Sequence, residues 1–224
     1  MRSQPQDFQS EVLWLALFMR FFKEMVRDCA WAVYGCAAAY GVQDKIQATI
    51  QRLLTLLGMR TSTYNFDMRI DKDYNVYLME VAPRDGGNYI PQAIRYATGI
   101  DLVECSVKAA MGEKIEIPEH IQPQGCWAYY AVHSLKDGIL KQVVIDPEVE
   151  RNHLVENHLI VKPGDEIHSF IGANSTLGIL VMKFDSLEQM LDMIENADRW
   201  IQIEYSMTEN YISENKRNLG AFFH

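Results

Sequence analysis

Apolar residues change their spacing along the chain. Between Phe8 and about Tyr40, Leu, Met, Ala and Phe are dense on every side of a helical projection and proline is absent. Such a segment suits a helix covered on several sides, with a candidate break at Gly35. From Val42 to Leu57 the pattern is one-sided. Ile46, Ile50, Leu53, Leu54 and Leu57 recur at three- and four-residue spacing, and Gly58 stands where a C-cap belongs. Residues 62–71 and 75–82 then alternate with period two and predict two strands. Helices are expected over 91–98 and 101–112, with Gly99 between them and Thr98 and Asp101 as capping residues. Pro118 and Pro123 bracket a linker. Beyond it, "GCWAYYAVHS" and "GILKQVVID" read as strands around the turn "LKDG", and "HLIVK", "TLGILVMKF" and "WIQIEYS" as further strands. "SLEQMLDMIENADRW" reads as a helix with Ser186 as N-cap and Glu188 in its first turn.

The first strand pair raises a chemical question. A two-residue turn at Asp73-Tyr74 would pair Phe66 with Val81, Met68 with Met79 and Ile70 with Tyr77, giving one apolar face. The other face then carries Asn65, Asp67, Arg69, Val76, Leu78, Glu80 and Ala82, with Asp67 directly opposite Glu80. Like charges so placed destabilise by up to about 1 kcal/mol. Two readings stand: an exposed polar face with no ligand, or a cation between the acids. Arg69 is near enough to serve. A divalent cation with phosphate oxygens would complete a hard-oxygen magnesium site.

The following loop bears on that choice. Arg84 lies just past the strand end, where a guanidinium can fork onto phosphate or carboxylate oxygens. Gly86 and Gly87 remove side chains and let backbone amides approach an anion, and Asn88 adds a polar tip. A Gly-Gly pair alone is a plain turn; with two acids and an arginine beside it, the constellation reads as a phosphate–metal site.

Composition narrows the class. The chain has 224 residues, 48% hydrophobic and 23% charged, with a formal net charge of −9. That acidity argues against a nucleic-acid backbone or an anionic membrane as partner. The uncharged run Val12 to Met19 is far short of the roughly 20 residues of a membrane span, and no signal cleavage site follows it. A helix buried against a partner surface, most simply in a homodimer, is the expectation for the N-terminal apolar segment. Cys29, Cys36, Cys105 and Cys126 show no C-x-x-C spacing and the six histidines no zinc pattern, so the cysteines are read as reduced thiols of a cytoplasmic protein. His133, His153, His158 and His168 would either line a pocket or serve as ordinary surface or core residues.

The stretch from Asp67 through Glu80 and "EVAPR" to "DGGNYIPQAIRYATGIDLVECSVKAAMGE" resembles the end of the ATP-grasp fold. "GILKQVVI" and "VKPGDEIHSFIGANSTLGILVMKFDSLEQMLDMI" are similar to the small β subdomain of its L-amino-acid-ligase-like branch. The resemblance covers about residues 43–206. It implies an α+β chain: a helical segment over 1–42, an ATP-grasp C-terminal lobe (antiparallel sheet with helices) over 43–113, a small β-rich subdomain over 114–206 and a tail over 207–224. It implies ATP and Mg2+ as cofactors, with Asp67 and Glu80 as metal ligands. Arg69, Arg84, Gly86, Gly87 and Asn88 would bind the nucleotide, and Arg84 would act as the catalytic cation. The activity implied joins a small-molecule carboxylate to an amine through an acyl-phosphate. Many members have asparagine at the position of Ala82, which points to a particular branch.

Residues 1–42 hold no glycine-rich phosphate loop and no alternating strand set. The expectation is therefore a chain lacking the N-terminal lobes, not competent for turnover alone. An alternative is a non-catalytic remnant serving as a binding or interaction module. A third is a different α+β binding protein whose acid pair meets a cation by chance.

Overall fold

The computed structural model describes residues 33–34, 42–60, 62–71, 73, 75–116, 124–171 and 175–206. Its elements are β1 (Val33–Tyr34), α1 (Val42–Leu56), β2 (Asn65–Ile70), β3 (Val76–Ala82), α2 (Ile90–Thr98), α3 (Leu102–Met111), β4 (Cys126–His133), β5 (Gly138–Ile145), α4 (Pro147–Asn152), β6 (Leu154–Leu159), β7 (Glu166–Ile167), β8 (Thr176–Phe184), α5 (Leu187–Glu195) and β9 (Ile201–Ser206). The class is α+β. The strands form a four-stranded sheet in the order β1-β4-β8-β6, a β2-β3 hairpin and a β7-β5-β9 sheet, with all strand pairs antiparallel.

The central strand follows from its composition. In β8, Leu177, Ile179, Leu180, Val181, Met182 and Phe184 are all buried. The apolar run Leu177 to Met182, broken only by the exposed Lys183 before Phe184, fits a strand covered on both faces. Leu180, Met182 and Phe184 pack with Met190 and Ile194 of α5 and with Trp200. Val181 and Trp127 meet Ala93 and Ala97 of α2. The two small side chains let that helix lie close to the sheet, and Ala97 is fully buried.

α1 covers the hairpin. Ile46, Ile50 and Leu54 are buried with Phe66 and Met68, and Gly58 ends the helix in the left-handed region. The stripe stops at Leu54, because Leu57 lies past the helix end and is exposed. The expected caps form: Asp101 accepts from the Glu104 amide, and Ser186 from that of Gln189.

Three expectations change. Val33–Tyr34, inside the segment read as helical, is a strand paired with Trp127 and Ala128. A β-branched and an aromatic residue suit an edge pairing. The remainder of residues 1–41, including the apolar run proposed to meet a second copy, lies outside the described residues. Cys126 forms a disulfide, so the reading of four reduced thiols fails there; Cys105 is a free thiol whose burial pushes its pKa up. Finally, β4 and β5 do not pair across "LKDG". Ser134 closes that turn by donating to the Lys136 carbonyl, and the two strands leave into different sheets. α4 went unread, although Asp146-Pro147 is a start signal: Asp146 Oδ1 accepts from the Glu148 and Val149 amides. Among the described residues, no helix is long and apolar enough to cross a membrane.

β6 approaches β8 closely at Gly178. A Cβ there, at φ 147°, would lie 2.5 Å from the His158 carbonyl oxygen and 2.5 Å from Leu159 Cα. Both are backbone atoms, so neither can swing away. Gly178→Ala is expected to lower unfolding stability by roughly 2–3 kcal/mol in urea titration. A variant as stable as the parent would contradict the seating of β6 on β8.

Candidate phosphate–metal site

The β2–β3 register places Asn65 opposite Ala82, Phe66 opposite Val81, and Asp67 opposite Glu80. The expected acid pair is therefore present in the backbone pairing. Beyond it the register shifts, and Met68, Arg69 and Ile70 face Leu78, Tyr77 and Val76. The expected partners Met68–Met79 and Ile70–Tyr77 do not form.

The turn explains the shift. Asp71, not Lys72, pairs with Asn75, through the Asp71 amide and the Asn75 carbonyl. Asp71 Oδ1 accepts from the amides of Asp73 and Asn75, and Oδ2 from Asn75 Nδ2 and the Tyr77 hydroxyl. These bonds, those from Asn75 foremost, hold the Asp71 carboxyl below its ordinary range. The longer loop leaves one extra residue on β3, absorbed as a bulge. As a result Val76 and Leu78 turn inward to the α1 cluster, Tyr77 and Met79 are exposed, and Met79 and Glu80 both point out before Val81 turns in. The bulge thus keeps Glu80 across from Asp67 while the rest of the strand changes face.

The loop after β3 is built from its own contacts. The Arg84 amide donates to the Ala82 carbonyl, and its Nη1 to the Asp85 carbonyl at 2.8 Å, leaving the side chain exposed. Gly86 is needed for close approach: a Cβ there would come within 2.7 Å of Ile90 Cδ1 and 3.2 Å of Asn65 Oδ1. Gly87 faces open space. The left-handed positions are not the glycines but Asn88 (φ 56°) and Tyr89 (φ 59°). Arg69 sits opposite Tyr77 in the ladder, and its side chain lies outside the described residues.

Sequence reasoning passed over Asp85. Its Oδ2 accepts from Ser106 Oγ at 2.8 Å, and Ser106 Oγ lies 2.6 Å from Thr63 Oγ1. Asp85 Oδ1 is buried with no partner among the described residues. An aspartate between an arginine and a diglycine was the available signal. Among the described residues, no group of three or more His, Cys, Asp or Glu side chains could hold a metal by itself. A metal at Asp67 and Glu80 would have to take further oxygens from its ligand.

The histidines do not converge. His133 packs on Phe170, His153 Nδ1 lies 2.9 Å from the Lys183 carbonyl, and His168 is near Asp137. His158 alone reaches the loop, stacked on Tyr89. Its Nε2 donates to Glu156 at 2.6 Å, and Glu156 also accepts from the Tyr96 hydroxyl at 2.5 Å. Burial works against Glu156 ionisation, but the bonds from Tyr96 and His158 outweigh it and hold the carboxyl below the usual glutamate range. Bonding to Glu156 raises the Tyr96 phenol in turn.

No family profile and no curated protein sequence matches the chain. Solved structures do. The L-amino acid ligase from Bacillus licheniformis matches with a TM-score of 0.70 at 19% identity, over 83% of this chain and 45% of that one. Phosphoribosylglycinamide synthetase from Anaerococcus prevotii matches with a TM-score of 0.65 at 20% identity, over 80% and 48%. The biotin carboxylase domain of Hydrogenobacter thermophilus 2-oxoglutarate carboxylase, in complex with MgADP and bicarbonate, matches with a TM-score of 0.57 at 15% identity, over 77% and 38%. The fold is a partial ATP-grasp. The chain spans under half the length of each of these enzymes. Within the partial ATP-grasp fold, Asp67 and Glu80 lie on the hairpin, and Arg84 to Asn88 form the loop leading from it to α2.

A carboxylate with a depressed folded-state pKa contributes stability that is present above the unfolded glutamate value of about 4.3 and lost as pH falls through the folded value. The melting temperature of the parent should therefore exceed that of Glu156→Gln at neutral pH. The difference should close as the buffer is taken down through the acid range. A constant difference from neutral pH to pH 3 would place the contribution of Glu156 elsewhere than in its charge.

Proposed function

We propose that this chain carries the magnesium- and phosphate-facing part of an ATP-dependent carboxylate–amine ligase acting through an acyl-phosphate. The observation that carries the reading is the cross-strand placement of Asp67 and Glu80 at the hairpin end that leads into the Arg84 loop.

The residues fit a metal-bound triphosphate. Two carboxylates alone make an incomplete hard-oxygen set, and phosphate oxygens are suitable completing ligands. Gly87 faces open space, so a phosphate can approach its backbone. Arg84 is exposed, with a guanidinium of five N–H donors held to the loop by one bond. Magnesium, when bound, supplies positive charge against the phosphate oxygens. Asp67 and Glu80 would hold it. Arg84 would stabilise charge on the transferred phosphoryl group, and the amides of Gly86, Gly87 and Asn88 would orient the phosphates. A small carboxylate and a small amine, of the amino-acid type, are the substrate classes this reading assigns.

A second reading has its own support: among the described residues, no group of three or more His, Cys, Asp or Glu side chains could hold a metal by itself. A module that keeps the phosphate–metal face and binds without turnover would look the same in this region.

Calorimetric titration with ATP, with and without magnesium, tests the first point. Binding should require magnesium, and Asp67→Asn, Glu80→Gln and Arg84→Ala should each weaken it about tenfold, or roughly 1.4 kcal/mol. Unchanged affinity in all three variants would refute the assignment. ADP release over a panel of amino acids tests turnover directly: the chain alone is expected to bind and not turn over, and robust release would rule out the second reading and place a complete nucleotide grip within the chain.

A further inference from the structure

The loop that carries Arg84 ends in two consecutive non-glycine residues in the left-handed region, Asn88 and Tyr89. Asparagine tolerates that region; an aromatic residue adopts it rarely and at a cost on the order of 1 kcal/mol. Tyr89 also precedes α2 without a side-chain capping bond. Backbone bonds from the Ile90 amide to the Gly87 carbonyl and from the Ala93 amide to the Tyr89 carbonyl close the corner, but neither engages the Tyr89 ring.

The contact on the ring comes from β6. The His158 ring lies on the Tyr89 ring with centroids 3.7 Å apart and planes inclined by 11°. Glu156 fixes the imidazole through the 2.6 Å bond to Nε2, and Tyr96 of α2 fixes Glu156. Tyr96 is stacked in turn on Trp127 of β4, at 4.9 Å and 8°. Gly178 admits the β6 backbone at this level, since its missing Cβ would strike the His158 carbonyl. A run of side chains thus joins the corner of the phosphate loop to the buried sheet.

We propose that His158, oriented by Glu156, is a positioning residue for the phosphate loop, acting through the face of Tyr89. The inference rests on the reading of that loop as a phosphate site. In this role His158 acts through Tyr89 and fixes the conformation in which Gly87 and Asn88 present their amides. The Ile90 amide, bonded to the Gly87 carbonyl at 3.1 Å, reports whether that conformation is kept.

The test uses the whole chain and two readouts, one of which needs no nucleotide. Amide hydrogen exchange is followed at residues 86–90 and, as a reference, along β4 and β8, in Tyr89→Ala, Tyr89→Phe, His158→Ala and His158→Phe. Tyr89→Ala and His158→Ala should speed exchange of the Ile90 amide about tenfold while the reference strands keep their rates. Tyr89→Phe should restore the parent rate, because the ring remains. His158→Phe, which keeps a ring but loses Glu156, should fall between. Affinity for magnesium-ATP should drop about fivefold in the two alanine variants and return in Tyr89→Phe. Parent-like exchange of the Ile90 amide in both alanine variants would overturn the proposal. So would acceleration shared equally by β4 and β8, which would make the stack a general support of the fold. If the parent does not bind magnesium-ATP, the phosphate reading fails, while the exchange rates still decide whether His158 orders the loop.

Discussion

Two carboxylates opposite each other on neighbouring strands cost up to about 1 kcal/mol, which the rest of the hairpin has to offset. Here the Asp67–Glu80 pairing sits at the edge of a β-bulge, and the bulge is what keeps it compatible with a buried hairpin face. Toward the turn, Val76 and Leu78 face α1; beyond the bulge, Val81 does. Without the extra residue, strict alternation would bring Met79 and Tyr77 into the core and turn Val76 and Leu78 out. The Asp71 turn sets the loop length that requires the bulge, so a carboxylate at one end of the hairpin fixes the setting of two at the other.

The same logic runs from the sheet to the loop. β8 is apolar from Leu177 to Met182 and is buried on both faces there. Its Val181, with Trp127, receives Ala93 and Ala97, which seats α2. α2 begins where the Arg84 loop ends, and Gly86 lets that loop pack on Ile90 and Asn65. Exposed charges at the site are therefore carried on a segment tied at both ends: by the hairpin before it and by a helix held to the sheet after it. On the other side Asp85 ties the loop to α3 through Ser106.

Local signals were legible in the sequence. Ser186, Asp101 and Gly58 acted as caps because capping depends on a few neighbouring groups. The Asp67–Glu80 pairing was also legible, although the turn next to it was misjudged. The inferred register and the observed one coincide beyond the bulge and differ before it. Asp71 was the missed residue, because a side chain that accepts three hydrogen bonds within its own turn and a fourth from Tyr77 of β3 competes with a two-residue hairpin loop. What depended on distant partners was not legible. The separation of β4 from β5 into different sheets, the strand at Val33–Tyr34 and the meeting of Tyr89 with His158 are set by tertiary packing. The glycines illustrate the difference: Gly86-Gly87 suggested backbone freedom, whereas the unusual torsions fall on Asn88 and Tyr89 and Gly86 serves close approach.

Under the proposed function a divalent cation and phosphate oxygens meet between Asp67, Glu80 and the Arg84 loop. Paramagnetic broadening of backbone amide signals on addition of manganese with ATP locates the ion directly. Losses should concentrate at residues 66–68, 79–81 and 84–88, be absent with manganese alone at the same concentration and be reversed by excess magnesium. Broadening centred on another acidic surface, or none when nucleotide is present, would contradict it.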